Sequence, residues 1–163
     1  MPDSDLAALA RRQHGLVTAA QAASALTVDQ IRHRIRIGRL ERVHPGVLRV
    51  AGAPEGWEPA LMGAVLAAGE GAVGSFRAAA HLWGLAGFWE APPIEITTPT
   101  RRRTRLDDVV VHDSAVLDCL HVDRRRGIPV TSVASLGMTM SAPSLAALKS
   151  CHLANLSLRA PPS

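Results

Sequence analysis

Arg32, His33, Arg36 and Arg39 crowd one short segment, and Arg42 and Arg49 follow in the next. Guanidinium and imidazole groups at that density give many N–H donors to phosphate oxygens and to the acceptor edges of bases. Thr27, Asp29 and Gln30 open the same segment. Together with His33 they fall where the N-terminal half of a recognition helix meets base edges. Arg39, Arg42 and Arg49 would hold phosphates, which fixes register and carries no sequence information. A solvated, charged helix face is the plainer reading of the same residues. The elements around them favour duplex DNA.

Catalytic and metal chemistry finds little footing. The seven histidines are scattered at positions 14, 33, 44, 81, 112, 121 and 152, without HxH or HxxxH spacing, and read as structural or surface groups. Cys119 and Cys151 lack metal-ligand spacing and read as buried or incidental thiols. No G-x-S-x-G, P-loop or dinucleotide fingerprint occurs. A restriction-fold nuclease wants a carboxylate two residues before a lysine, to hold Mg²⁺ and position water. The sole lysine, Lys149, follows Ala147 and Leu148. The expectation is a protein that is not an enzyme and carries neither cofactor nor metal.

The elements that must carry the basic residues are legible. Residues 5–13 place Leu6 and Leu9 at helical spacing, and Gly15 stops that helix. Thr18 is placed to N-cap a short helix ending at Leu26, and Thr27 with Gln30 forms a capping box for the next. In that helix Val28, Ile31 and Ile35 share one face, and Gly38 closes it. The stretch from Leu40 to Val50 alternates around His44-Pro45-Gly46 and predicts a hairpin, with Arg42 and Arg49 projecting from its strands. Three helices and a hairpin within residues 1–52 predict a winged helix-turn-helix.

Residues 52–56 read as a linker, and residues 57–134 as a small α+β domain. Two Ala-rich amphipathic helices are expected there, the second starting at Ser75. Strands are expected at 94–99, at 108–113 and in the segment from Gly127 to Val133. Trp57, Trp83 and Trp89 are expected to fill core or interdomain space rather than stack bases. Arg101, Arg102, Arg103, Arg105 and the Arg124–Arg126 cluster sit at strand ends. There they would extend a DNA footprint, bind another polyanion such as RNA, or stay solvated.

Composition supports this frame without deciding it. The chain has 163 residues, 47% of them apolar, and a formal net charge of +4. The positive charge is nearly all arginine amid abundant Ala, Gly and Pro, as a GC-rich coding sequence also produces, so placement outweighs the total. No basic region followed by an apolar stretch opens the chain, and no apolar run is long enough to span a bilayer. A cytoplasmic protein without membrane contact is expected. All fourteen acidic residues lie at or before Asp123. Residues 135–163, rich in Ser, Leu and Ala, therefore read as a divergent, degenerate or frameshifted tail.

Six segments in order carry a family resemblance across residues 10–134: HGLVTAAQA, VDQIRHRIRIGRLERVHPGVLRVAG, GAVGSFRAAAHLWGL, IEITTP, VVVHDS and GIPVTSVA. Together they resemble the AbiEi-family antitoxins of type IV toxin–antitoxin (abortive infection) systems, in their actinobacterial form. The resemblance implies a winged-helix DNA-binding domain that represses its own promoter, and a cognate nucleotidyltransferase toxin counteracted without obligatory binding. Two places depart from the family. Ser75-Phe76-Arg77-Ala78-Ala79-Ala80 stands where the family commonly has Ser-His-Arg-Ser-Ala-Ala. Ser135-Leu136-Gly137-Met138 replaces the family's Arg-Thr-Leu-Leu-Asp-Leu-Ala. Two readings compete with the antitoxin: a regulatory fragment of a fused restriction-fold endonuclease whose catalytic domain is missing, and a module that binds a toxin protein directly.

Overall fold

The chain was analysed as a computed structural model, which describes residues 2–99, 106–114, 117 and 122–135. The expected Arg101–Arg105 cluster and nearly all of the 135–163 tail lie outside the described residues.

α1 (Pro2–Arg12) leads into β1 (Leu16–Thr18), followed by α2 (Ala19–Ala25) and α3 (Val28–Arg36). β2 (Leu40–His44) and β3 (Val47–Val50) form the expected hairpin about Pro45-Gly46. β1 was not expected: it adds to β3 and makes a three-stranded antiparallel sheet of order β1-β3-β2. The turn from α1 into β1 needs glycine. Gly15 has φ 81°, and a Cβ there would lie 2.2 Å from the Ala53 methyl.

Neighbouring residues in this sheet point to opposite sides. Val17 and Leu48 pack with Leu6, Ala10, Ala22 and Leu26 beneath the first helices. Leu16 and Val47 face the other way and join a larger cluster built on the rest of the chain. The sheet is therefore covered on both faces.

The second cover is α4 (Trp57–Ala68). Sequence reading expects an amphipathic helix here, but Leu61, Met62, Gly63, Ala64, Val65 and Ala68 are all buried. The helix is apolar around most of its circumference because it lies between two sheets. On one side Gly63 admits His44 and Leu16: a Cβ there would sit 3.2 Å from His44 Cδ2 and 3.6 Å from Leu16 Cδ1. On the other, Leu61 lies against Gly74 of the second sheet.

That second sheet comprises β4 (Val73–Gly74), β5 (Ile94–Pro99), β6 (Val109–Ser114), β7 (Val122–Arg125) and β8 (Ile128–Thr131), in the order β6-β5-β4-β8-β7. It is mixed: β5–β6 and β4–β8 run parallel, β4–β5 and β7–β8 antiparallel. β5, β6 and β8 match the expected strands. β4 has two residues and β7 reads Val-Asp-Arg-Arg, so neither has a periodicity to detect. α5 (Phe76–Trp83) follows Ser75, as expected, and packs Ala78, Ala79 and Leu82 into the larger cluster. The whole is α+β. No helix among the described residues is long and apolar enough to cross a membrane.

Because α4 serves both sheets, Leu61→Ala should lower the unfolding free energy by about 2–5 kcal/mol, in a single urea transition reporting both halves. A loss under about 1 kcal/mol, the size of an ordinary surface change, would show that α4 is not the shared core.

Candidate nucleic-acid interface

The geometry of α2 and α3 is set by side chains pairing with nearby backbone. Thr18 accepts from the Gln21 amide at 3.1 Å, while Gln21 Oε1 accepts from the Thr18 amide at 2.8 Å. The same box recurs at α3: the Gln30 amide donates to Thr27 Oγ1 at 3.3 Å, and the Thr27 amide to Gln30 Oε1 at 2.9 Å. Each box satisfies two backbone donors that a bare helix start would leave unpaired. Only Leu26 and Thr27 separate the helices, so the boxes fix a sharp bend. Gln21 also exchanges hydrogen bonds with the Gln13 carboxamide at 3.0 and 3.1 Å, tying α2 to the end of α1.

At its far end α3 closes with Gly38 at φ 71°. The Gly38 and Arg39 amides return to the carbonyls of Ile35 (3.1 Å) and Arg34 (2.8 Å). This double return is the Schellman arrangement, and it turns the chain directly into β2.

α3 has no fully buried residue. Ile31 and Ile35 rest on the smaller cluster, whereas Val28, grouped with them by periodicity, is 59% exposed. Thr27, Asp29, Gln30, Arg32, His33 and Arg36 are all exposed on the helix, and Arg39 and Arg42 are exposed beyond it. Arg32 lies 3.5 Å from Asp29 in a solvated i,i+3 pair, too open to contribute much. The capping boxes engage two candidates. Gln30 Oε1 and the Thr27 hydroxyl each give one lone pair to the box and keep a second, beside the donors Gln30 NH₂ and Thr27 O–H.

The hairpin arginines part company. Arg42 pairs in register with Leu48 and so shares the sheet face that carries the helices. Arg49 pairs with Glu41 on the opposite face. Its guanidinium meets Glu41 Oε2 at 2.6 Å and Glu55 Oε1 at 2.7 Å. The Glu41 hydrogen bond, working against desolvation and joined by the charges of Glu55 and Glu41, holds the Arg49 pKa above the ordinary arginine value. Arg49 thus clamps β2, β3 and the following linker, a role sequence reading missed because Glu55 sits outside the hairpin.

The Ser75–Ala80 segment is used for anchoring. Thr97 Oγ1 donates to Ser75 Oγ at 2.7 Å. The buried Glu95 carboxylate accepts from the Arg77 amide at 3.0 Å and from Arg77 Nε at 2.8 Å. These bonds pin α5 to β5, and the Phe76 ring lies 4.2 Å from the His112 ring. Among the described residues, no group of three His, Cys, Asp or Glu gathers to hold a metal ion.

Residues 4–51 match the family model described as a transcriptional regulator, AbiEi antitoxin. The matched segment, which is less than half the chain, runs from α1 through β3. No curated protein matches the chain.

Removing the second capping hydroxyl tests whether the start of α3 depends on it. Thr27→Ala should cost about 1 kcal/mol in chemical denaturation, with Thr27→Ser close to the parent. Equal stability of all three proteins would show that the box contributes nothing.

Proposed function

We propose that the chain is the DNA-binding antitoxin of a type IV toxin–antitoxin system, that it represses its own promoter, and that it is not an enzyme. In this reading α2 and α3 act as a helix-turn-helix and the β2–β3 hairpin as its wing. The observation that carries it is α3 itself: a helix capped at both ends, seated by Ile31 and Ile35, with Asp29, Gln30, Arg32, His33 and Arg36 exposed. Arg32, His33 and Arg36 occupy its outward face and meet base edges in the major groove.

Thr27 and Gln30, through the O–H and NH₂ donors that the cap leaves, reach phosphate or base acceptors from the helix start. Arg39 and Arg42 hold phosphates on the same side of the sheet. Arg49 was expected among these; neutralised by Glu41 and Glu55, it positions the hairpin instead. The functional partner is a nucleotidyltransferase toxin, neutralised without a required complex. The match of residues 4–51 to an antitoxin transcriptional regulator supports this assignment.

Gel shifts of the full chain on its own promoter DNA test the reading. Affinity should fall by orders of magnitude between about 50 and 200 mM salt, as a handful of phosphate contacts implies. Arg32→Ala or His33→Ala should relax discrimination between promoter and random duplex, while Arg42→Ala should weaken both alike. No shift at low salt would refute the proposal, and an Arg42→Ala variant that loses only promoter binding would reverse the roles of helix and wing.

A further inference from the structure

Trp89 does not fill the core, as sequence reading expected. It lies in the connection between α5 and β5 and is 74% exposed, more than any other large apolar side chain among the described residues. With Trp83, Phe88 and Arg125 it lines a cleft of about 230 Å³. That is below the ~300–1,000 Å³ of pockets that enclose drug-sized ligands, and suits one flat ring system.

The cleft walls are fixed. The Trp83 indole N–H donates to the Thr131 carbonyl at 2.9 Å, and His81 Nδ1 lies 2.7 Å from the Phe88 carbonyl oxygen. The Arg125 guanidinium stands 5.4 Å above the Trp83 ring centroid.

Its charge is one-sided. Arg126 is taken up by Glu58. Arg125 has no carboxylate partner among the described residues, while its neighbour Arg124, bonded through Nη1 to the Gly127 carbonyl, does not line the cleft. Both belong to β7, an edge strand whose four residues are all exposed. An exposed indole beside an unneutralised arginine is suited to a ligand that is aromatic and anionic at once. An apolar peptide would leave the Arg125 guanidinium covered without an anion.

We propose that this cleft binds a nucleobase together with its phosphate, the base stacking on Trp89 and the phosphate held by Arg125. A free nucleotide and a single strand of nucleic acid share that chemistry. The site lies on the second sheet and uses no residue of α3, so it stands or falls separately from duplex recognition.

Fluorescence anisotropy of the full chain with labelled oligoadenylate, and competition by AMP, test it. The parent should bind at low salt, and Trp89→Ala should weaken binding about 5- to 150-fold, the range for losing one stacked base. Trp89→Phe should recover most of the loss, and Arg125→Ala should flatten the salt dependence. Trp89 is exposed, so far-UV circular dichroism should stay unchanged in its variants. Competition by AMP at concentrations comparable to the oligonucleotide identifies a free nucleotide; resistance to AMP identifies a strand. A combined Arg32→Ala, Arg36→Ala protein should keep oligoadenylate binding. The proposal is overturned if the parent binds neither probe, if Trp89→Ala binds as the parent does, or if the α3 variant loses the oligonucleotide.

Discussion

Successive side chains on β1 and β3 point to opposite faces, and in this chain both faces lie against protein. Leu16 and Val47 need α4 in the same way that Val17 and Leu48 need α1, α2 and α3. A fully buried side chain of this size contributes about 1.5–3 kcal/mol, so neither cover is dispensable. The demand passes along the chain, because α4 can cover the first sheet only if its own far side is covered in turn. The second sheet does this, and α5 packs into the same cluster. Gly63 and Leu61 show the division of α4: a missing side chain where the first sheet approaches, a full one where the second does.

The buried scaffold leaves α3 nearly bare, so its orientation comes from polar bonds. The Gln13–Gln21 exchange, the paired capping boxes and the Schellman turn each satisfy backbone or carboxamide groups that would otherwise have to be solvated. Arg49 does similar work with charge, joining β3 to Glu41 and to Glu55. The Gln13 and Gln21 carboxamides and the Arg49 guanidinium, committed in this way, are poor candidates for a ligand, and the exposed groups on α3 and β2 are better ones.

What could be read in the sequence was what is decided locally. Thr27 with Gln30, Gly38 after an apolar stripe, and Pro45-Gly46 between alternating residues each determine their own geometry over a few positions, and α3 with its exposed arginines followed from them. β1, β4 and β7 are different. They are two to four residues long; β1 and β4 exist because partners far along the chain supply the hydrogen bonds, and β7 because β8 folds back on it across Arg126-Gly127. α4 was read as amphipathic because nothing in its composition says that a second sheet waits on its other side. Trp89 was read as core because indoles usually are, and only the course of the α5–β5 connection places it in water. Arg42 and Arg49 look equivalent in sequence. The register, together with a glutamate beyond the hairpin, separates them.

The two-faced sheet also sets how this chain could be divided or recombined. A cut after Val50 would leave Leu16, Val43 and Val47 without α4 and bare a contiguous apolar patch, the kind of surface that drives self-association. The N-terminal unit is thus not a module that ends with its last strand. Any exchange of it between proteins would have to carry α4 along, or land on a recipient whose own helix presents a small residue where Gly63 lets the sheet approach.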